Sequence, residues 1–330
     1  MRLIDYNYQV YNIYKNSQFT LPQKDVSFKA KQQLFFKNTL SDKDVSLKNI
    51  TDNLSKYKNK INIVFADIDG TLSAGDDLIT EKVYSSVKKL AQKNIPLILT
   101  TARSYSDAYS IIKILPEKPE YTIALQGGSI YTKDGNAILN SFISDNNTNK
   151  LIKWFNKFSY NNPDLNLILY FNDNPYSLSN IQYPWKSRTP IVQVNSFSGL
   201  LNKSKLQKAV LFKTDCSPMF SAKLISDFKN SDLNELQIHK SGSDLFEIQN
   251  RNVSKDKAIQ LVLNRCDLKA ENAMAIGDSG NDISMLDYIR KNNGLAVAMG
   301  NSSPELYNHA NALTTDIYQD GFSLVIDNIL

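Results

Sequence analysis

The sequence predicts an α/β fold in which a doubly wound parallel sheet is interrupted by an inserted α+β domain. After residue 60, short apolar runs alternate with amphipathic stretches of helical period, as expected for strands and helices that alternate along such a sheet. This alternation is lost in the middle of the chain and returns towards its end. The 330 residues are enough for about two domains of ~100–200 residues each.

Short apolar runs predict five buried parallel strands, because a strand that is covered on both faces is apolar throughout. These strands are Ile61–Ala66, Ile95–Thr100, Thr122–Leu125, Ala273–Ile276 and Leu295–Ala298. Apolar residues at helical spacing predict three helices between them, over Thr80–Lys93, Ser106–Ile114 and Lys255–Asn264. We therefore expect residues 61–128 and 247–330 to form one core domain.

The intervening residues 129–246 are predicted to form a separate α+β cap domain. Two predicted hairpins bound it: one turns at Asp134-Gly135, and the other joins Ile238–Lys240 to Leu245–Ile248. Two strands and two helices are predicted between the hairpins, at Leu165–Phe171, Ala209–Phe212, Leu151–Phe155 and Ser221–Phe228. A cap above the strand ends of the core would exclude water from a site and select its substrate.

Residues 1–60 are predicted to be a basic extension, partly disordered. They carry 11 Lys and Arg against 5 Asp and Glu, a balance of +6, whereas the rest carries 27 against 28, a balance of −1. We favour a solvated segment over one that touches nucleic acid or another acidic surface. Alternating apolar residues from Ile4 to Val10 suggest an edge strand there, and Leu47, Ile50 and Leu54 fit one face of a short helix.

Composition favours a globular protein without a membrane partner. Hydrophobic residues make up 42% of the chain and charged residues 22%, which is typical of domains with a sizeable core. No apolar run approaches the ~20 residues of a transmembrane helix. The N-terminal residues lack the apolar stretch of ~7–15 residues of a secretory signal. We therefore expect a cytoplasmic location.

Polar residues follow four of the predicted core strands at the point where each strand ends. Asp67 to Leu72 follows the first strand, and the second ends in Thr100-Thr101-Ala102-Arg103. Gln126-Gly127-Gly128 follows the third strand, and Gly277 to Asp282 follows the fourth. Ligands of open α/β sheets bind at the carboxyl ends of the strands. The sequence therefore predicts that these residues meet in one site.

These residue types suit phosphoryl transfer. A phosphate ester repels an anionic nucleophile, so an attacking carboxylate needs a metal ion and cationic or N–H donors around the phosphate. Asp67 and Asp278 offer the hard oxygen ligands that Mg²⁺ prefers. Thr101 offers a hydroxyl group, and Lys255 offers a positive charge at the start of a predicted helix.

Four segments resemble, in order, the motifs of the haloacid dehalogenase (HAD) superfamily. Asp67 to Leu72 is similar to the first motif, DxDGTL, and Thr101-Ala102-Arg103 resembles the Thr-Gly-Arg of the second. Val253-Ser254-Lys255 resembles the third motif, and Gly277 to Asp282 resembles the fourth, GDxxND. The segment Ala296 to Asn301 is similar to one found in the Cof-like sugar-phosphatase subgroup.

The resemblance covers about residues 61–330 and implies a Rossmann-like HAD core with an α+β cap. It implies that Asp67 is the nucleophile, which is transiently phosphorylated, and that Asp69 is the general acid and then the base. The ligands of a Mg²⁺ ion would be Asp67, Asp69, Asp278 and Asp282, with Asp282 acting directly or through Lys255 or a water. A backbone carbonyl near Asp69 would be one of the donors.

The same resemblance implies the phosphate-binding groups. These would be Thr101, Lys255 and Asn281, with N–H groups near Ile68 and Ala102. Arg103 is left open between a contact with the substrate and a structural pair with a carboxylate.

Three positions depart from the family pattern. Ala102 replaces the usual Gly of the second motif, a small change unless a positive φ is needed there. Gln126 replaces a common Asn, and Asp256 replaces a Gly beside Lys255. None of the three removes a predicted catalytic group, although substrate preference could move.

The predicted function is a Mg²⁺-dependent phosphatase that hydrolyses a small phosphorylated metabolite. A sugar phosphate is expected from the subgroup resemblance alone. One alternative is a sucrose-phosphate-phosphatase-like enzyme or a phosphotransferase on the same fold. The other is a regulatory or binding protein with a vestigial site, against which the intact set of acidic residues argues.

Overall fold

The computed structural model describes residues 53–75, 77–181, 189–241 and 244–330. The chain divides into two compact units, residues 1–56 and 57–330, and every element below belongs to the second unit. The edge strand predicted at Ile4–Val10, most of the predicted short helix and the predicted disorder of the extension lie outside the described residues. Within those ranges, no helix is long and apolar enough to cross a bilayer.

The strands and helices of the second unit alternate for most of its length. In chain order the strands are β1 Ile63–Ala66, β2 Leu97–Thr100, β3 Tyr121–Ala124, β4 Ser129–Thr132, β5 Ala137–Asn140, β6 Asn166–Phe171, β7 Asn174–Ser177, β8 Val192–Gln193, β9 Leu206–Phe212, β10 Leu236–Lys240, β11 Leu245–Asn250, β12 Ala273–Gly277, β13 Leu295–Ala298 and β14 Ala312–Leu313. The helices are α1 Glu81–Gln92, α2 Tyr105–Ile112, α3 Asp145–Ser159, α4 Ser198–Leu201, α5 Pro218–Lys229, α6 Lys255–Arg265, α7 Ile283–Lys291 and α8 Gly321–Ile329.

Four helices begin where the sequence supplies a hydroxyl cap. The side chain of the residue before each helix accepts a backbone N–H from the first turn, which satisfies a donor that has no partner inside the helix. These caps are Thr80 for α1, Ser104 for α2, Ser144 for α3 and Ser217 for α5.

The first sheet, called the core sheet, has eight strands in the order β14-β13-β12-β1-β2-β3-β4-β5. The six strands from β14 to β3 are parallel, and the predicted α/β fold class is confirmed. Ala66 pairs with Ile276 of β12 and with Leu99 of β2. The three central strands therefore end at nearly the same level, which brings their following loops together.

The hairpin β4–β5, which turns at Asp134-Gly135, lies in the core sheet, whereas the predicted boundaries assign it to the cap. β4 pairs antiparallel with β3 over four residues, and Ile130 packs in the core with Ile98 and Ile123. The predicted boundary at residue 129 therefore falls inside the core sheet. Where the strand pairing in a sheet changes from parallel to antiparallel, strands and helices stop alternating along the sequence. The same change of pattern marks the start of a new domain.

The second sheet, called the cap sheet, has six strands in the order β10-β11-β9-β6-β7-β8. Its pairs are antiparallel except for β7 with β8. β11 belongs to this sheet, so the predicted boundary at residue 247 falls within a strand. Helices α3 and α5 cover one face, where Leu151, Phe228 and Leu211 pack in a single cluster. The opposite face carries Val210 and Phe212, and by alternation Lys208 and Glu247.

The chain crosses from the core sheet to the cap sheet after β5 and returns after β11. The two crossings are joined by Asn250, whose Nδ2 donates to Ser141 Oγ at 3.0 Å and to the Phe142 carbonyl at 2.7 Å. The side chain of Asn250 thus links the two ends of the cap segment, which comprises residues 141–250.

Candidate active site

The loop after β1 is a tight turn that makes room for another carboxylate. The Ile68 carbonyl accepts N–H bonds from Leu72 at 3.0 Å and from Ser73 at 2.9 Å, which closes the turn. Gly70 has a φ of +82°, and a Cβ atom at this position would lie 2.2 Å from Asp278 Oδ2. Only glycine combines this backbone conformation with so close an approach.

Three carboxylates, which together are called the acidic group, lie close to one another where β1 and β12 end. Asp67, Asp278 and Asp282 each place an oxygen within 4.8 Å of the others. Asp67 is 4% exposed, and Asp282 is fully buried. Oδ2 of Asp282 accepts the backbone N–H groups of Asp278 at 3.0 Å and Ser279 at 3.1 Å. These bonds fold the loop after β12 so that Asp278 faces Asp67.

Lys255 lies beneath this acidic group and is buried. Its Nζ donates to Asp282 Oδ1 at 2.6 Å, to Asp67 Oδ1 at 2.8 Å and to the Thr100 carbonyl at 3.0 Å. The three acceptors match the three protons of an ammonium group. Because Lys255 is the first residue of α6, its position is set by the start of that helix.

The pKa values of the group are shifted mainly by burial and further by the neighbouring charges. Burial, with the charges of Asp282 and Asp69, raises the pKa of Asp67 to about 7 against the pull of Lys255. Burial and the carboxylates of Asp67 and Asp282 raise the pKa of Asp278 to about 8. The pKa of Lys255 is also raised, because its two carboxylate partners outweigh the effect of burial.

Asp69 stands apart from this group. Its side chain is 51% exposed, and Arg103 holds it through Nε, which lies 2.6 Å from Oδ2, and through Nη2. Nη1 of Arg103 reaches Asp77 Oδ1 at 3.0 Å. Of the two roles left open for Arg103, the structure shows the pair with carboxylates. Asp69 is not among the three clustered carboxylates, and the ligand role of its backbone carbonyl stays a prediction.

The remaining predicted phosphate-binding residues line the same strand ends. Thr101 is 1% exposed, and its Oγ1 accepts the backbone N–H of Arg103 at 3.1 Å. Ile68 is buried directly after Asp67, and Ala102 follows Thr101 in the loop after β2. Asn281 lies in the turn before α7, where its Oδ1 accepts from Ser279 Oγ at 3.0 Å.

Comparison with known proteins decides the family. A profile of haloacid dehalogenase-like hydrolases matches residues 64–326, which is most of the chain. The chain belongs to the haloacid dehalogenase-like hydrolase family. The predicted superfamily and Cof-like type are confirmed, and with them an enzyme of the hydrolase class.

Individual relatives of this HAD hydrolase match nearly along their whole length. A Buchnera aphidicola relative is 27% identical over 238 residues, which cover 69% of this chain and 84% of that protein. Phosphatase YwpJ of Bacillus subtilis is 22% identical over 293 residues, which cover 81% and 99%. A solved HAD subclass IIB sugar phosphatase superposes with a TM-score of 0.66 at 20% identity, over 81% of this chain and 98% of that one.

A divalent metal ion, which HAD hydrolases generally use, fits the acidic group. Asp67, Asp278 and Asp282 together with Lys255 carry two net negative charges when ionised, in a largely buried position. Burial, together with the neighbouring carboxylates, raises the pKa of Asp67 and Asp278, so a bound cation would favour their ionised forms. Hard carboxylate oxygens are the ligands that Mg²⁺ prefers.

Two of the three departures from the HAD pattern, Ala102 and Asp256, suit the backbone at their positions, and Gln126 does not. Ala102 has no positive φ, so replacing the usual glycine causes no strain there. Gln126 does have a positive φ, of 59°, a conformation that suits the usual Asn better. Asp256 lies in the first turn of α6, where a negative charge is favourable to the helix dipole.

Sequence reasoning missed several supporting contacts of the site. Thr71 Oγ1 donates to Asp278 Oδ1 at 3.3 Å. Asn301 Nδ2 donates to the Gly70 carbonyl at 2.9 Å, and Lys208 of the cap sheet donates to the Ala102 carbonyl at 3.1 Å. The first two residues lie inside motif-like segments, so the signal was present. Nothing in the sequence around Lys208 indicated that it reaches the core.

Proposed function

We propose that this HAD enzyme, a phosphatase like the relatives it matches, hydrolyses a small phosphomonoester through a phosphorylated Asp67. The observation that carries the proposal is the setting of Asp67. Its carboxylate is buried at a strand end, with Oδ1 bound to the Lys255 ammonium at 2.8 Å and two further carboxylates beside it. Such a group has no role in apolar packing.

In the proposed first step, a carboxylate oxygen of Asp67 attacks the phosphorus atom and the ester oxygen leaves. Asp67, Asp278 and Asp282 would hold Mg²⁺, which when bound would offset the negative charge of the nucleophile and the phosphate. The Thr101 hydroxyl would bind a phosphate oxygen, and Lys255 would do so by releasing one of its three present acceptors. Both side chains are almost fully buried, so their positions are fixed before substrate arrives.

Asp69 would protonate the leaving alcohol and then take a proton from the water that hydrolyses the phosphorylated Asp67. Its half-exposed position on the solvent side of the acidic group suits a residue that faces the leaving group. To donate a proton, Asp69 must loosen at least one of its two contacts with Arg103. A positioned acid and base contributes ~10²–10⁴ in rate.

The substrate that we propose is a sugar phosphate with Mg²⁺ as the cofactor. The similarity to a HAD subclass IIB sugar phosphatase supports this choice.

Phosphate release from a panel of sugar phosphates and nucleotides tests the proposal. The wild type should turn over with Mg²⁺ and stop with EDTA, and Asp67→Asn should lose about 10⁴-fold or more of the rate. Asp227→Asn is a matched control, since that carboxylate accepts from Trp154 in the cap. Folded wild-type protein that releases phosphate from no ester would contradict the proposal.

A further inference from the structure

The face of the cap sheet opposite its helices carries a buried ion pair. Lys208 of β9 and Glu247 of β11 join through Nζ and Oε1 at 2.7 Å, and their side chains are only 4% and 8% exposed. Burying two charges is costly unless each is bound on several sides. The pair therefore needs an explanation beyond the packing of the cap.

Lys208 also reaches out of the cap sheet. Its Nζ donates to the Ala102 carbonyl of the core at 3.1 Å. Other cap lysines behave differently: Lys240 Nζ donates to Ser221 Oγ at 3.0 Å, and Lys213 pairs with Asp164, so that both stay within the cap segment.

The carbonyl that Lys208 binds belongs to the peptide that joins Ala102 to Arg103. The N–H of the same peptide donates to Thr101 Oγ1 at 3.1 Å. A peptide unit is planar, so fixing its carbonyl also fixes the direction of its N–H. Because Thr101 Oγ1 accepts this bond, the hydroxyl proton of Thr101 is directed elsewhere.

We propose that Lys208 is a positioning residue through which the cap orders the phosphate-binding loop. Its ammonium holds the 102–103 peptide, the peptide N–H holds Thr101 Oγ1, and the Thr101 proton is then presented to a phosphate oxygen. Glu247 balances the charge of Lys208 and orients it. This inference rests on the proposed function, because it assumes that Thr101 binds phosphate.

The test measures phosphate binding and turnover separately in the full chain. Inorganic phosphate is titrated calorimetrically into the Mg²⁺-loaded protein, and KM and kcat are measured on the best ester. The variants are Lys208→Met, Glu247→Gln, the double variant with both changes, and Lys213→Met as a matched control. The double variant removes both charges, so it leaves no unpaired buried charge that would unfold the protein.

Lys208→Met and the double variant should raise the phosphate Kd and the KM by about tenfold, the effect of losing one charge-assisted contact. Glu247→Gln removes the charge that orients Lys208 but keeps the lysine, so it should raise both constants by less than Lys208→Met does. Lys213→Met should stay within about twofold of wild type. A merely structural role would lower the melting temperature without changing the phosphate Kd of folded protein.

Unchanged phosphate Kd in both folded Lys208 variants, with an active wild type, would overturn this inference and leave the phosphatase intact. A wild type that neither binds phosphate nor hydrolyses any ester would overturn both.

Discussion

Arg103 holds Asp69 by two of its nitrogens, and Nε lies 2.6 Å from Oδ2. Its third nitrogen binds Asp77, so one guanidinium organises two carboxylates at the mouth of the site. Arg103 is only 9% exposed, whereas Asp69 is half exposed. The planar, largely buried guanidinium of Arg103 therefore orients Asp69, the acidic residue of the first motif that lies outside the cluster of Asp67, Asp278 and Asp282.

We expect Asp69→Asn to reduce kcat by ~10²–10⁴ while leaving Mg²⁺ binding and the fold intact, because the amide cannot act as acid and base. Steady-state kinetics and Mg²⁺ titration measure the two effects. Asp77→Asn is the matched control: it alters a carboxylate on the same guanidinium and should change kcat by about threefold or less. Equal losses in both variants would argue for a purely structural role of Asp69.

Lys255→Met should destabilise the metal-free protein by about 3–5 kcal/mol, since it leaves buried carboxylates without their counter-charge. Urea unfolding measures this loss, and it should shrink when Mg²⁺ is added. Lys257 lies two residues further along the same helix and is exposed, so Lys257→Met should change the free energy of unfolding by about 0.5 kcal/mol or less. A Lys255 variant as stable as wild type would show that the acidic group does not need its ammonium.

Gly70→Ala should weaken Mg²⁺ binding as well as stability. A Cβ atom at Gly70 would meet Asp278 Oδ2 at 2.2 Å and displace that carboxylate. Gly75→Ala is a control for backbone strain alone, because Gly75 also has a positive φ but no atom within 4 Å of its would-be Cβ. Strain of this kind costs about 1–3 kcal/mol, so Gly75→Ala should lose stability but keep the wild-type Mg²⁺ affinity.

Mg²⁺ should stabilise the protein more strongly at high pH. Burial and like charges raise the pKa of Asp67 to about 7 and that of Asp278 to about 8, above the ordinary value of 3.8. At these two carboxylates the folded metal-free protein thus binds protons more tightly than the unfolded chain, and their contribution to stability is lost as the pH rises from about 4 to about 8. Metal binding requires the deprotonated carboxylates and competes with those protons.

Thermal unfolding with and without Mg²⁺, at about pH 6 and about pH 8.5, measures this effect. The Mg²⁺-induced rise in melting temperature should be larger at the higher pH. Asp278→Asn should remove most of the rise at both values. A rise that is independent of pH would mean that the two carboxylates are already ionised without metal.

The parallel strands were predictable because burial on both faces leaves a purely apolar run, as in Leu295–Ala298. The cap boundaries were not predictable, because the sequence patterns of β4 and β11 indicate hairpin strands but not the sheet to which each strand belongs. Partner strands are chosen by long-range packing, such as that of Ile130 against Ile123, which periodicity does not encode. Short strands such as Val192–Gln193 gave no signal because two residues form no pattern.

For the site, the sequence placed Asp67, Thr101, Lys255 and Asp278 together because each directly follows a strand or starts a helix. The hydrogen bonds that these loops and the cap make with one another could not be predicted from the sequence. The pairing of Arg103 with Asp69 depends on the path of the loop after β1, and the reach of Lys208 to Ala102 depends on how the cap sheet meets the core. Neither distance follows from spacing along the chain.

The tie made by Asn250 between the two crossings of the chain has an evolutionary consequence. Ser141 and Asn250 are 109 positions apart but joined by one hydrogen bond. If the residues between them were deleted, a loop of a few residues could connect Ser141 to Asn250 directly, since short surface loops close at little entropic cost. The core sheet would keep every strand after such a deletion. The cap segment is thus a module that ancestors of this chain could gain, exchange or lose while the sheet that bears the acidic group stayed the same.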